Sequence, residues 1–173
     1  MRGLRAAYVA QLSAEERAAL ERALALAIRA HLPPGAVIAA YAPHGAEIDP
    51  RGVAKAMAFP WFADAMSDCL FRLGPAVERG PFGVRQPRTS AVAVTPTVIL
   101  APLIAADRHG TRLGQGGGHY DRLIAALPDR AAVTVIGCAW EMQIVERLAT
   151  DPWDMALDAL ATPGGVQRCV ATA

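Results

Sequence analysis

Thr97-Val98-Ile99-Leu100-Ala101-Pro102-Leu103 is followed, after a short apolar continuation, by Asp107-Arg108-His109-Gly110-Thr111-Arg112-Leu113-Gly114-Gln115-Gly116-Gly117-Gly118-His119-Tyr120-Asp121. The apolar run, bounded by turn residues, reads as a buried strand from about Thr97 to Leu103, and His119 to about Leu127 reads as a helix. Between them lie a turn, Asp107 to Gly110, and a loop with four glycines in five positions. Working outward, Ala132 to Ala139 reads as another strand and Glu141 to Leu148 as a helical piece. Upstream, Gly80 to Thr95 is rich in Pro, Gly and Ser and reads mostly as loop, and Cys69 to Leu73 as a strand. Asp49-Pro50 looks like an N-cap with proline at the first helical position, opening a helix of modest length. Ala36 to Tyr41 is a further buried strand, followed by a loop carrying Pro43, His44 and Glu47. Ser13-Ala14-Glu15-Glu16 is a capping box. It opens a helix to about His31, with Ala19, Leu20, Ala23, Leu24, Ala27 and Ile28 toward the core and Pro33-Pro34-Gly35 at its end. Strands alternating with helices predict an α/β fold, a largely parallel sheet with helices on both faces.

A chain of 173 residues, 53% of them hydrophobic, fits one domain over 1–173. Its formal net charge of +1 shows no block of Lys and Arg, so neither nucleic acid nor an anionic membrane surface is an expected partner. The longest apolar run, Ala93 to Ala106, is too brief to cross a bilayer. Met1 to Ala10 does not read as a secretory signal. Cys69, Cys138 and Cys169 lack any C-x-x-C spacing and read as reduced, mostly buried thiols, so a cytoplasmic location is expected. His31, His44 and His109 show no zinc spacing and default to the surface. Trp61 and Trp140 are expected in the core, while Trp153 suits either core or ligand platform.

The glycines let the backbone approach a ligand and aim successive amides one way, which suits an anion. Arg112 adds a planar fork for phosphate oxygens, and Asp121 a carboxylate able to hold magnesium. An acid in a first helical turn also favours the helix by about 0.3–1 kcal/mol with no metal at all. The loop is neither common nucleotide fingerprint. A Rossmann match from Gly114 would need glycine where His119 stands, and a P-loop would need Gly-Lys-Ser/Thr.

Arg112-Leu113-Gly114-x-Gly116-Gly117-Gly118-x-Tyr120-Asp121, preceded by Asp107-x-x-Gly110, resembles the signature of the 5-formyltetrahydrofolate cyclo-ligase (methenyltetrahydrofolate synthetase) family. Tyr41 with Glu47-Ile48-Asp49, the loop Pro81 to Pro87, Glu141-Met142-Gln143, and Trp153 to Asp158 resemble other family segments in the same order. The resemblance implies a three-layer α/β domain with an open, mainly parallel sheet. It also implies an ATP- and Mg2+-dependent enzyme that closes 5-formyltetrahydrofolate into 5,10-methenyltetrahydrofolate through a phosphorylated formyl oxygen. Carried over by position, Arg112, Tyr120 and Asp121 would be catalytic. ATP would lie among Arg5, Arg112, Gly114, Gln115, Gly116, Gly117, Gly118, His119 and Tyr120. The folate would meet Tyr41, Glu47, Gln115 and His119, and magnesium would approach Asp121 and Asp154. Met1 stands where the family usually has lysine, with Arg2 as the substitute, Gln115 where an aromatic or basic residue is common, and His119 for the first of a tyrosine pair. For Glu47 and Asp154 the plainer readings are a solvated loop acid and a turn cap, and for His119 stacking is favoured over proton transfer. The expected partner is the folate alone, with the chain a monomer. Two other readings are a non-catalytic folate- or nucleotide-binding relative, and a different anion-binding enzyme of the sugar-phosphate isomerase or CoA-transferase kind.

Overall fold

The computed structural model describes residues 1–64, 67, 69–127 and 129–170, with Phe82 as backbone only, so Ala65, Met66, Asp68, Pro128 and Ala171–Ala173 of the expected domain lie outside the described set. The chain opens with two helices, α1 (Arg2–Gln11) and α2 (Ala14–Arg29). The capping box at the start of α2 is present in both directions. Ser13 Oγ accepts from the Glu16 amide at 3.2 Å and Glu16 Oε2 accepts from the Ser13 amide at 2.8 Å. Leu24, Ala25 and Ile28 are its buried residues. Ala19, expected on the core face, is exposed, and Ala25 takes a core place instead. Alanine recurs all round this helix and so carries little directional information; the larger Leu24 and Ile28, one turn apart, set the stripe. Helix α1 was not anticipated, yet Tyr8 and Val9 pack on the core and the Tyr8 and Trp140 rings lie 5.7 Å apart.

The main sheet is built from β1 (Ile38–Ala39), β2 (Ala58–Trp61), β3 (Leu70–Leu73), β6 (Val98–Pro102), β9 (Thr134–Cys138), β11 (Ala159–Thr162) and β12 (Gly165–Arg168), in the order β12-β11-β9-β6-β1-β2-β3. The five inner strands pair in parallel, and β12 and β3 close the two edges antiparallel. The inner strands are apolar throughout because a layer of side chains covers each face. On one face lie α2 and the N-terminal helix, over Ile38, Val98, Leu100 and Ile136. On the other, Leu123 and Ile124 of α3 (His119–Ala125) pack with Ile99, Val133, Val135 and Leu160. The result is the expected three-layer α/β architecture with a mainly parallel sheet.

Two local expectations are corrected, and two other segments gain detail. The helix expected after Asp49-Pro50 is one 3-10 turn, Arg51–Val53, because the Asp49 carboxylate binds the Arg51 amide at 2.9 Å and its guanidinium at 2.6 Å, and the chain then enters β2. The helical piece from Glu141 shortens to a 3-10 turn, Glu141–Gln143, followed by β10 (Ile144–Val145), which pairs in parallel with β7 (Ala105–Asp107). The stretch Gly80 to Thr95 is mostly loop, as expected, with one 3-10 turn and a two-residue strand in a small hairpin, β4 (Glu78–Arg79) with β5 (Arg85–Gln86). The closing hairpin β11–β12 was not anticipated.

Candidate active site

The glycine loop leaves β8 (Arg112–Leu113), which pairs antiparallel with β7, and enters α3. Its root is held by Asp107, which is fully buried. Asp107 Oδ1 accepts the amides of His109 (2.9 Å) and Thr111 (3.1 Å), and Oδ2 accepts that of Leu148 (2.9 Å). Burial is the largest single influence and raises its pKa. The amides of Leu148, His109 and Thr111, with the Thr111 side chain, outweigh it and hold the carboxyl below the usual range. Beyond this root the loop lies open: Gln115, Gly116 and Gly117 are exposed. Gly116 (φ 93°) and Gly118 (φ 59°) occupy the left-handed region, which glycine enters without strain. Neighbouring side chains lie on the remaining glycines. A Cβ at Gly114 would stand 2.7 Å from Arg112 Nη1, and one at Gly117 would strike the His119 ring.

Arg112 and Asp121 form an ion pair at 2.8 Å, with the arginine side chain only 4% exposed. Met155, next to Asp154, donates its amide to the same Asp121 oxygen at 3.3 Å, so loop, helix and the segment before β11 meet at one carboxylate. The Arg112 guanidinium also lies 5.7 Å from the Tyr120 ring centre. Burial pushes the Tyr120 hydroxyl well up, with Cys69 and Glu47 adding to the rise. Two donors here are buried with no hydrogen-bond partner, Arg112 Nε and Arg5 Nε. An orphaned guanidinium N–H costs free energy until an acceptor meets it. A phosphate oxygen is such an acceptor, so the residues present suit a phosphate-bearing anion.

The N-terminal helix reaches the same place. Arg2 Nη2 donates to the Gln115 carbonyl at 2.7 Å, and one turn on Arg5 is buried with Nη1 on the Leu103 carbonyl at 2.9 Å. Gln115 Nε2 in turn donates to Glu47 Oε1 at 3.1 Å. Glu47 is 6% exposed, so the solvated-acid reading of it is wrong; its other oxygen accepts the His44 amide at 2.9 Å. Tyr41 is buried and gives its hydroxyl to the Ile48 carbonyl at 2.7 Å, which makes it a strut under the Glu47 loop. Burial raises its pKa well above the ordinary value. His119 meets Phe62 edge-on, ring centres 6.5 Å apart, and its pKa is lowered by burial first and by Arg122 second. Asp154 Oδ2 accepts the Asp151 amide at 2.8 Å, as the turn-cap reading of it required. Beside it Trp153 is 70% exposed, whereas Trp140 is fully buried with its indole N–H on the Ala46 carbonyl at 2.9 Å. Among the described residues, no group of three or more His, Cys, Asp and Glu side chains is placed to hold a metal.

Sequence reading missed two parts of this arrangement. The turn from Asp107 to Gly110 was read, but not the capping of amides by the Asp107 carboxylate, a role that an acid opening such a turn commonly takes. Gln143 is buried and donates to the carbonyls of Leu103 (2.8 Å) and Ile104 (3.0 Å), a tie that no local pattern reveals. His109, expected at the surface, is half-buried, with Nδ1 enclosed. A separate cleft of about 710 Å3 lies by the C-terminal hairpin, lined by Arg108, His109, Glu141, Glu146 and Gln167 among others. It shares no residue with the glycine loop, where the converging charges are, and we place the candidate site at the loop.

Fold and loop define a three-layer α/β protein with an open glycine loop between strand and helix. The model of the 5-formyltetrahydrofolate cyclo-ligase family matches residues 62–163, more than half of the chain. The chain belongs to the 5-formyltetrahydrofolate cyclo-ligase family. The 5-formyltetrahydrofolate cyclo-ligase of Haemophilus influenzae is 35% identical over 85 residues, 47% of this chain and 45% of the relative. That of Escherichia coli K12 is 36% identical over 87 residues, 48% and 47% of the two chains. The chain thus spans about half the length of the curated relatives it matches. Likeness of structure extends further. The NMR structure of Aquifex aeolicus 5,10-methenyltetrahydrofolate synthetase superposes with a TM-score of 0.72 at 26% identity, covering 99% of this chain and 92% of that one. The Mycoplasma pneumoniae 5,10-methenyltetrahydrofolate synthetase shares the fold, with a TM-score of 0.67 at 22% identity over 94% and 96% of the chains.

Proposed function

We propose that the protein is an ATP- and magnesium-dependent 5-formyltetrahydrofolate cyclo-ligase, forming 5,10-methenyltetrahydrofolate, ADP and phosphate. The observation that carries this reading is the pair of buried, unpartnered guanidinium donors, Arg5 Nε and Arg112 Nε, on elements that border an open glycine loop. Family membership, and the names of the relatives, supply the reaction.

ATP supplies the phosphoryl group that turns the formyl oxygen into a leaving group. The chain's own part is positioning and charge neutralisation, which is what phosphoryl transfer asks of a protein. Amides of Gly114, Gly116, Gly117 and Gly118, with Gln115, line the phosphates, and Arg112 faces them with a guanidinium that the Asp121 pair holds in one orientation. Arg2 and Arg5 add positive charge from α1, and Tyr120 and His119 border the nucleotide. Both hydrogen bonds to Asp121 fall on Oδ1, so Oδ2 is the oxygen through which it would meet magnesium, and Asp154, one residue before the Met155 that donates to Asp121, is the second candidate ligand. On the folate side, Glu47 offers a buried carboxylate to ring N–H donors, over the strut of Tyr41. Excluding water there lets the folate's second nitrogen attack the formyl carbon as phosphate departs.

We read the chain as one domain acting as a monomer in the cytoplasm. Its three cysteines are unpaired, as a reducing compartment would keep them, and no described helix is long and apolar enough to cross a membrane. Purified protein given ATP, magnesium and 5-formyltetrahydrofolate should develop the absorbance of the methenyl product, one ADP per turnover. Folate binding with no ATP consumption would instead favour a non-catalytic relative.

A further inference from the structure

Gln115 touches both halves of the proposed site. Its carbonyl is held by Arg2 and its side-chain amide by Glu47, residues 113 and 68 positions away along the chain. Glu47 thus carries one donor on each oxygen, the Gln115 amide on Oε1 and the His44 amide on Oε2, with a further acceptor position left on each. A carboxylate recognises the flat donor edge of a nitrogen heterocycle by turning both oxygens to two parallel N–H groups. That arrangement competes with the Gln115 amide for Oε1. The loop that carries Gln115 is also the one proposed to wrap the triphosphate. Gln115 is exposed, and a Cβ at Gly116 would meet nothing within 4 Å, so the outer side of the loop is open to movement.

We infer that Gln115 is a latch coupling the two substrates. With the loop empty its amide covers Glu47, and when the loop closes on the nucleotide the amide leaves and the carboxylate opens to the pterin edge. Gln115 is a positioning residue in this scheme, and the inference rests on the reading of the site given under Proposed function. It predicts that each substrate tightens binding of the other by the same factor, since coupling between sites is reciprocal. The factor should be about 2- to 10-fold, the range of one net hydrogen bond.

The test is calorimetric titration with 5-formyltetrahydrofolate, with and without magnesium and an ATP analogue bearing a β,γ-imido bridge. Wild type should bind the folate about 2- to 10-fold more tightly with the analogue present. Gln115→Ala and Gln115→Met should bind the folate that much more tightly with no nucleotide, and gain nothing further from it. Gln115→Met keeps the length of the side chain and removes the whole polar amide, N–H donors and carbonyl acceptor together. An effect confined to Gln115→Ala therefore traces to loop slackness and overturns the latch. So does folate affinity in the variants that is unchanged or weaker without nucleotide, or coupling that persists in both. Wild type that binds both ligands independently sinks the latch alone, and wild type that binds neither removes the site reading and the latch with it.

Discussion

At Gly114 a single carbon decides where Arg112 can lie, since a Cβ there would stand 2.7 Å from Nη1. Gly114→Ala should push the guanidinium off Asp121 while leaving the core alone. We expect kcat/KM to fall at least about tenfold and, because the buried pair with Asp121 is broken, stability to fall by on the order of 3 kcal/mol. Asp121→Ala removes the carboxylate and leaves a 4%-exposed cation unpaired, which costs on the order of 3 kcal/mol in addition to activity. Asp121→Asn keeps an acceptor for Arg112 and Met155, so product formation should be lost with most of the stability retained, as thermal melts alongside product absorbance would show. The thiols are not reactive partners in any of this. Burial pushes Cys69 up to about 12 and Cys169 to about 11, far from thiolate at neutral pH. At this scale the sequence was informative about chemical type: a guanidinium, an acid and a set of glycines in one short stretch. It held no distances, and the contacts of Arg2, Gln115 and Glu47 could not be read from segments so far apart.

Among the elements, α2 and the strands at 98–102 and 134–138 announce themselves because their apolar spacing has a clear period and their ends carry caps or turn residues. Helix α1 is silent, since Arg5 is its one buried residue and a guanidinium is not a core signal. The stretch after Asp49 misleads because a cap starts a helix only if an apolar face follows, and here Gly52 lies 3.3 Å, from its would-be Cβ, against Ala25. Ser13→Ala should lower stability by about 1 kcal/mol, read from denaturant midpoints. The turn at Asp107 makes a sharper case. Asp107→Ala strands three amides in the interior, and we expect a loss of roughly 2–4 kcal/mol. The folded carboxyl has a lowered pKa, so the stability it contributes is complete above the unfolded value, about 3.9, and fades as pH falls through the folded one. Melting temperatures of wild type and Asp107→Asn should therefore converge below about pH 3.9 and stand apart at neutral pH. Parallel curves over that range would show that the charge of Asp107 contributes nothing.

Across the molecule, the parallel sheet sends β1, β6 and β9 toward one end, where the chain turns into the Glu47 loop, the glycine loop and the Glu141 turn; parallel sheets bind ligands at the ends of strands in this way. Sequence alternation was enough to foresee the layers. It was not enough to foresee the antiparallel edges, although Pro163-Gly164-Gly165 after an apolar run does spell a hairpin. A nucleotide and a folate gripped between α1 and these loops should stabilise the whole chain by mass action, about 2.7 kcal/mol at a hundredfold excess over Kd. The midpoint of thermal melting should climb with ligand concentration, and one that stays flat with both ligands present would count against the site. The tryptophans offer an optical consequence. Trp140 is sealed beneath the Glu47 loop and Trp61 is also buried, while Trp153 projects beside Asp154, so the protein carries two blue, shielded emitters and one red, water-quenched emitter. Acrylamide quenching would separate the exposed emitter from the buried pair without any label, and occupancy could be followed as light from Trp153 while Trp61 and Trp140 serve as the internal standard.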